Sequence, residues 1–325
     1  MKRIRAIAGF VLAASMAFSL VGCGSNGSST GGSTSTDAAS DYPNQAINMI
    51  VNYSAGGGTD LAARALADAA GKALNGTITI TNLTGGSGTV GVTELANSKA
   101  DGYTIGVATL SPLSLVPYQL DVTYTPDSFK YICAFGQYGY GIIVAANSPY
   151  QTLDDLITAA KTGAVNYGAT GYPQPFAMDD LAKATGASFN YVNYSSTTDM
   201  ITDILGGFLP CAMCDQASFT AYVESGEMRL LASATDQRWD SAPDVETLSE
   251  MGYDIELLSY MGICVPADTD DAIVEKLRTA FETAANDDTY KTTLENCNLT
   301  WAYLSGDDYE QIVKDKYAEY GELMK

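Results

Sequence analysis

From Ile47 onward, β-like and helix-like stretches take turns, and this alternation constrains the fold more than any single motif. Apolar, β-branched runs are expected as strands at 47–53, 77–83, 103–109, 131–137 and 141–146. Further runs follow at 165–169, 188–194, 211–215, 229–234 and 257–265. Helical patterns are expected at 61–74, 153–161, 176–185, 197–205, 216–224, 272–285, 289–296 and 308–324. Thr152 followed by Asp154 and Asp155 reads as a capped helix start, and Gly186 and Gly206-Gly207 read as helix ends. Such alternation implies an α/β protein with mainly parallel sheets. A chain of 325 residues is long enough for two domains. One boundary is expected near Asn147-Ser148-Pro149, and a second where the 257–265 strand runs into Pro266. Two extended segments crossing there would make a hinge. That gives a first lobe of 42–146 plus 260–325 and a second lobe of 147–259.

Two glycine-rich stretches sit at strand-to-helix junctions. The first is Tyr53-Ser54-Ala55-Gly56-Gly57-Gly58-Thr59-Asp60, between the first strand and the first helix. The opening amides of a helix lack intrahelical partners, and the helix dipole favours negative charge at that end. Three successive glycines exceed what a tight turn with a Thr59 cap requires, so the stretch reads as an amide cradle for a carboxylate or similar anion. The second stretch is Gly85-Gly86-Ser87-Gly88, which follows the 77–83 strand and reads as another amide-lined wall. Residues 86–91 satisfy the spacing of a dinucleotide fingerprint. The acid that should end the next strand is missing from Ala108-Thr109-Leu110-Ser111, so nucleotide binding is rejected.

Composition removes other classes. The chain has no histidine, which excludes Ser-His-Asp and Cys-His catalysis and every His-ligated metal site. Net charge is −21, and without the first 22 residues it becomes −24, with 14 basic against 38 acidic residues. Such a surface repels nucleic acid and anionic lipid. Cys211 and Cys214 lie in an apolar run and read as buried thiols, with a disulfide left open. Asp215 stands at a strand–helix junction, where it reads equally as a ligand contact and as a helix cap. Hydroxyls at 194–198 read as caps, with Ser195 able to face a ligand.

The first 22 residues carry Lys2, Arg3 and Arg5 ahead of an apolar stretch, the pattern of an export signal. Leu20-Val21-Gly22-Cys23 resembles a bacterial lipobox, which implies cleavage before Cys23 and lipid on its sulfur. Residues 23–41 are rich in Gly, Ser and Thr and read as a flexible linker. Acyl chains on Cys23 would tether the protein without spanning the membrane.

The ordered set Tyr42-Pro43, Ala55–Asp60, Asn82 through Gly91, Ala100-Asp101-Gly102-Tyr103-Thr104, Asn166-Tyr167-Gly168, Asp203–Gly207 and Val265-Pro266-Ala267 resembles one known family. It is similar to the Bug-type receptors, the substrate-binding proteins of tripartite tricarboxylate transporters. The resemblance implies a two-lobed, periplasmic-binding-protein-like α/β fold of type II with a hinged cleft. It also implies capture of a small carboxylate, an integral-membrane permease as partner, an extracytoplasmic location, no cofactor and no catalysis.

Three departures stand out against the family's pattern. Thr84 replaces a usual proline, and Ser195 a frequent lysine. Gly171-Tyr172-Pro173-Gln174-Pro175-Phe176 replaces a Gly-, Thr- and Ser-rich loop that carries a histidine. Two prolines remove two amide donors, so the ligand is expected to carry one carboxylate and a less polar or cationic remainder.

The expected binding set in the first lobe is Tyr53, Ala55, Gly56, Gly57, Gly58, Thr59, Asp60, Gly85, Gly86, Ser87, Gly88 and Thr109. In the second lobe it is Ala169, Thr170, Gly171, Ser195 and Asp215. A sensing lobe for a membrane signalling partner and, more remotely, a secreted α/β enzyme are the alternatives.

Overall fold

The computed structural model describes residues 41–239, 241–257 and 259–325. The expected export signal, Cys23 and all but the last residue of the expected linker lie outside the described residues.

Two mixed sheets form two lobes. The first contains β1 (Ile47–Val51), β2 (Ile78–Asn82), β3 (Thr104–Thr109), β4 (Phe129–Gln137), β10 (Tyr260–Pro266) and β11 (Leu304–Ser305), in the order β11-β4-β10-β3-β1-β2. The second contains β5 (Tyr140–Ala145), β6 (Val165–Ala169), β7 (Phe189–Asn193), β8 (Cys211–Asp215) and β9 (Met228–Ser233), in the order β7-β6-β8-β5-β9.

The sheets differ from the parallel expectation. β1 pairs in parallel with β2 and β3, as β6 does with β7 and β8. Every other pairing between named strands is antiparallel. A parallel neighbour needs a long crossover back to the same end of the sheet. β4 instead passes to β5 through Tyr138 and Gly139, and β10 brings the chain back to the first sheet. β5 therefore belongs to the second sheet, although 140–145 was expected at the end of the first lobe. The crossing is pinned by Tyr138 N donating to Ser259 O at 3.0 Å and Gln216 N donating to Gly139 O at 2.8 Å.

Helices cover both faces of each sheet. α1 (Gly58–Leu74), α8 (Asp271–Ala285) and α9 (Asp288–Asn296) bury Leu66, Ala70, Leu277, Phe281 and Leu294 against Met49, Val107 and Ile263 on one face of the first sheet. On its other face, α2 (Thr89–Ala96), α3 (Leu110–Ser114) and α10 (Gly306–Leu323) bury Val92, Leu113, Tyr309 and Val313 against Ile50, Ala134 and Cys264. In the second lobe, α4 (Leu153–Thr162) and α5 (Gln174–Thr185) cover one face, and α6 (Thr197–Leu205) and α7 (Gln216–Glu224) the other. The Thr152 cap forms as expected, its hydroxyl accepting from Asp155 N at 3.2 Å.

Cys133, Cys211, Cys214, Cys264 and Cys297 are all free thiols. The first four are buried, and burial raises each thiol above its ordinary range.

Candidate functional site

Three parallel strands of the first sheet end in the loops at Tyr53, Leu83 and Thr109, and three of the second end at Thr170, Tyr194 and Asp215. In open α/β sheets the crevice outside such carboxyl ends is where ligands bind. One chain of contacts ties the two sets together. The Thr59 and Tyr138 hydroxyls are hydrogen-bonded. Tyr138 leads through Gly139 to Tyr140, which lies opposite Asp215 in the β5–β8 pairing. The first glycine bend and the end of β8 therefore flank the same crossing strand.

The bend itself is exposed at 54–57, with Gly56 at φ +82°, a conformation that favours glycine. Gly57 is the N-cap, and α1 begins at Gly58, three residues earlier than expected, so Thr59 is not the cap. Thr59 and Asp60 are instead buried in the first turn.

Asp60 builds the bend. Its Oδ2 accepts from Gly56 N at 2.8 Å and from Arg64 Nε at 2.9 Å, and its Oδ1 accepts from Asn82 Nδ2 at 2.8 Å. Asn82 Nδ2 also donates to Tyr53 O at 3.0 Å, closing the loop onto the end of β2. Burial alone would raise the Asp60 carboxyl, but the Arg64 guanidinium and the Gly56 and Asn82 donors together hold it below its ordinary range.

This corrects part of the expected cradle. The Gly56 amide is used by Asp60, and the Gly57 amide donates to Ser54 O at 3.3 Å. The donors left for a ligand are the amides of Gly58, Thr59 and Asp60, the first three of α1, which have no intrahelical acceptor. Because Arg64 absorbs the Asp60 charge, the helix start keeps its positive character.

The second bend runs through four successive residues of positive φ: Gly85 (+123°), Gly86 (+55°), Ser87 (+53°) and Gly88 (+94°). Residues 85–87 are exposed, and Ser87 pays the steric cost of a side chain in the left-handed region. A Cβ on Gly88 would lie 2.7 Å from Asn52 Nδ2 and 2.9 Å from Pro112, so only glycine lets this bend approach the end of β1. Asn52 sits beneath it, 1% exposed, and neither polar atom of its side chain has a partner among the described residues. Beside it, Tyr53 and Thr109 share a hydrogen bond at 3.2 Å. Burial raises the hydroxyls of Tyr53, Tyr138 and Tyr140, so all three remain protonated and available as donors at neutral pH.

In the second lobe, Asp215 is the N-cap of α7. Its Oδ1 accepts from Ser218 N at 3.0 Å, and both carboxylate oxygens accept from Ser218 Oγ at 2.8 Å. Burial raises its carboxyl, and the Ser218 bonds offset only part of that. Ser196, not Ser195, caps α6, which leaves the exposed Ser195 outside that role. Ala169 is buried with its carbonyl held by Tyr194 N at 2.9 Å, while Thr170 is exposed and Gly171 adopts φ +123°. Ala169, Thr170, Gly171 and Ser195 stand at the carboxyl ends of neighbouring strands, and no hydrogen bond among the described residues joins them to the glycine bends. Sequence reasoning missed Arg64 and Asn52. The i, i+4 spacing of Asp60 and Arg64 was the available signal for the first, and nothing local pointed to the second.

Residues 62–325 match the family described as the tripartite tricarboxylate transporter family receptor. The chain belongs to this family. The match starts within α1, so the first glycine bend lies just ahead of it. A UPF0065 protein in the gbd 5' region of Cupriavidus necator is 30% identical over 282 residues, covering 85% of this chain and 86% of the relative. A TctC solute-binding protein from Polaromonas, solved without ligand, superposes with a TM-score of 0.77 at 28% identity, covering 87% of this chain and 99% of that one. The periplasmic binding protein BugD superposes at 0.67 with 26% identity, covering 87% and 97%. The receptor is thus an extracytoplasmic solute-binding protein of two lobes and not an enzyme.

Proposed function

We propose that this receptor captures a small carboxylate at the start of α1 and hands it to a tripartite-type membrane permease. The observation that carries the reading is the exposed bend at 54–57, opening onto three amides without helical partners while Asp60 is neutralised by Arg64. Two neighbours of the same fold from Rhodopseudomonas palustris were solved with malate and with adipate, at 20% and 23% identity. At that distance the likeness supports the fold, and the ligand class rests on the bend.

The second lobe favours a ligand with one carboxylate. Asp215 and the hydroxyls of Tyr138 and Tyr140 cluster at the crossing, and Pro173 and Pro175 lack amide donors. A second carboxylate would meet Asp215, whereas an amine, a hydroxyl or an aromatic surface would not be repelled. Bridging both lobes favours the closed form, and closure is the state the permease reads. Lipid on Cys23 would hold the receptor at the membrane.

Calorimetric titration with citrate, succinate, aromatic acids and amino acids tests the ligand class. Saturable binding of a monocarboxylate or amino acid is expected, and tight citrate binding would overturn the one-carboxylate reading. Metabolic palmitate labelling, lost in Cys23→Ala, tests the anchor.

A further inference from the structure

On the outgoing strand, the change of lobe falls on Tyr138. Gln137, the last residue of β4, is fixed to the first lobe by two backbone hydrogen bonds exchanged with Thr300, at 2.9 and 3.0 Å. Gly139 is fixed to the second lobe, its carbonyl accepting from Gln216 N at 2.8 Å. Tyr140 follows in β5, with its carbonyl accepting from Ala234 N at 2.8 Å. Tyr138 lies between these two sets of bonds. Its own amide donates to Ser259 O, on the segment that returns the chain to β10, at 3.0 Å. A change in the angle between the lobes therefore passes through the backbone next to Tyr138.

The Tyr138 side chain meets three parts of the molecule. Its ring packs against the core of the first lobe and against the core of the second. Its hydroxyl is hydrogen-bonded to that of Thr59, the second residue of α1. Thr59 is buried, and its amide is one of the three left for a ligand. A rigid ring wedged between two cores is carried along when one core turns against the other. Its hydroxyl cannot then keep its place on Thr59.

The setting seen here has another contact between the lobes. Phe176 of α5 stacks on Tyr320 of α10, with ring centres 5.4 Å apart and planes 19° apart. This stack is remote from the Thr59 bond, because α1 and α10 cover opposite faces of the first sheet. Whatever passes between them has to pass through the relative setting of the lobes.

We propose that Tyr138 is a positioning residue that couples the lobe setting to the start of α1. In the setting seen here its hydroxyl braces Thr59, and with it the turn that carries the offered amides. When the lobes swing apart the brace is lost and the turn loosens. By linkage the relation runs both ways, so a ligand that orders the turn favours this setting. A ligand held by the first lobe alone would then still bias closure. That this ligand is a carboxylate rests on the function proposed above, whereas the brace does not.

The test uses the full chain, dialysed free of small molecules, and hydrogen exchange read by mass spectrometry at the start of α1. There Leu61 N donates to Gly57 O at 3.0 Å. Phe176→Ala removes the stack and disturbs the lobe setting from the opposite face. It should speed exchange at Leu61 and the amides after it by about 2- to 10-fold, the population shift that loss of an aromatic pair allows. Tyr138→Phe should by itself speed that exchange by about 2- to 10-fold, and adding Phe176→Ala should change it no further. Tyr138→Phe also leaves the Thr59 hydroxyl buried without this partner, so it is combined with Thr59→Val. Replacing both partners keeps the shape and spares stability. The double variant should melt closer to the parent than Tyr138→Phe does, and its α1 should be equally indifferent to Phe176→Ala. A role confined to packing would leave Phe176→Ala without effect on α1 in every background. The proposal is overturned if Phe176→Ala leaves exchange at the start of α1 at the parental rate, or if it speeds exchange as much in the double variant as in the parent. No carboxylate enters this experiment, so its failure is separate from failure of the calorimetric titrations.

Discussion

Gly58→Pro isolates the amide cradle from the fold that presents it. Gly58 is the first residue of α1, a position where proline is favourable because its missing N–H has no intrahelical acceptor to lose. Gly57 already sits at φ −77° and ψ 166°, the extended form that a residue before proline must adopt. A Cβ at position 58 would meet Leu299 at 3.5 Å, an ordinary contact. The fold should therefore tolerate the change within about 0.5 kcal/mol, with a small gain from restricting the unfolded chain. Binding should not tolerate it. A hydrogen bond from an amide to a charged acceptor contributes about 1.5–3 kcal/mol, so its removal should weaken the dissociation constant by about 10- to 150-fold. Gly57→Pro makes the contrast, since it would force Gly56, at φ +82°, to precede a proline and would delete the bond to Ser54 O. That variant should lose stability as well as affinity. The assay is calorimetry with whichever carboxylate binds the parent protein, with a thermal melt of each variant. A folded Gly58→Pro protein with parental affinity would refute the idea that the first amides of α1 hold the ligand.

Asp60→Asn should cost about 2–4 kcal/mol, because it removes the charged acceptor shared by Gly56 and Arg64 at a side chain only 2% exposed. The Asp60 carboxyl is held below its unfolded value, so its contribution is present at neutral pH and lost as pH falls through the depressed value. The parent and Asp60→Asn melting curves should therefore converge in acid. Asp215 has the opposite sign. Its carboxyl is raised by burial, which favours folding below the unfolded value and loses that advantage as pH rises through the folded one. Asp215→Asn, which can still cap α7, should melt no lower than the parent at pH 7, with any difference shrinking as pH falls towards 4. Phe176→Ala should weaken ligand binding by about 2- to 10-fold through faster release, because Phe176 of α5 stacks on Tyr320 of α10 across the lobes at 5.4 Å, and such pairs contribute about 0.5–1.5 kcal/mol. Stopped-flow release rates check this, and an unchanged rate would rule out the stack as a closure contact.

The positions of most secondary elements were legible because they are signalled locally, although the short helix Leu110–Ser114 was not among those expected. The segments 165–169, 197–205, 211–215 and 216–224 have the bounds read from apolar period and caps. Strand direction was not legible. β5 looks like any buried apolar strand, and nothing within 140–145 says that it enters a new sheet from the opposite end. The two-residue β11 is too short to carry a pattern at all.

The site divides the same way. The glycines marked both bends, but their roles were set by long-range partners. Asn82 reaches Asp60 from 22 residues away, and Tyr138 takes the Thr59 hydroxyl from 79 residues away. Local reading places both Asp60 and Thr59 in the binding set, and it does not show that Asp60 shapes the bend or that Thr59 ties it to the hinge.

That division also explains how a chain of net charge −21 could present the proposed anion site. Distant acidic groups act through solvent and are screened within about 10 Å, so they set the approach of a ligand more than its final affinity. The local field comes from the start of α1, where the nearest carboxylate is Asp60. Left bare, that carboxylate would cancel the partial positive charge of the helix end. It is instead buried, its Oδ2 joined to Gly56 and Arg64 and its Oδ1 to Asn82. The residue with the wrong charge for the proposed ligand thus serves as a strut of the bend that precedes the first amides of α1. Its cost to the site is offset by Arg64, whose guanidinium pairs with Asp60 Oδ2 at 2.9 Å.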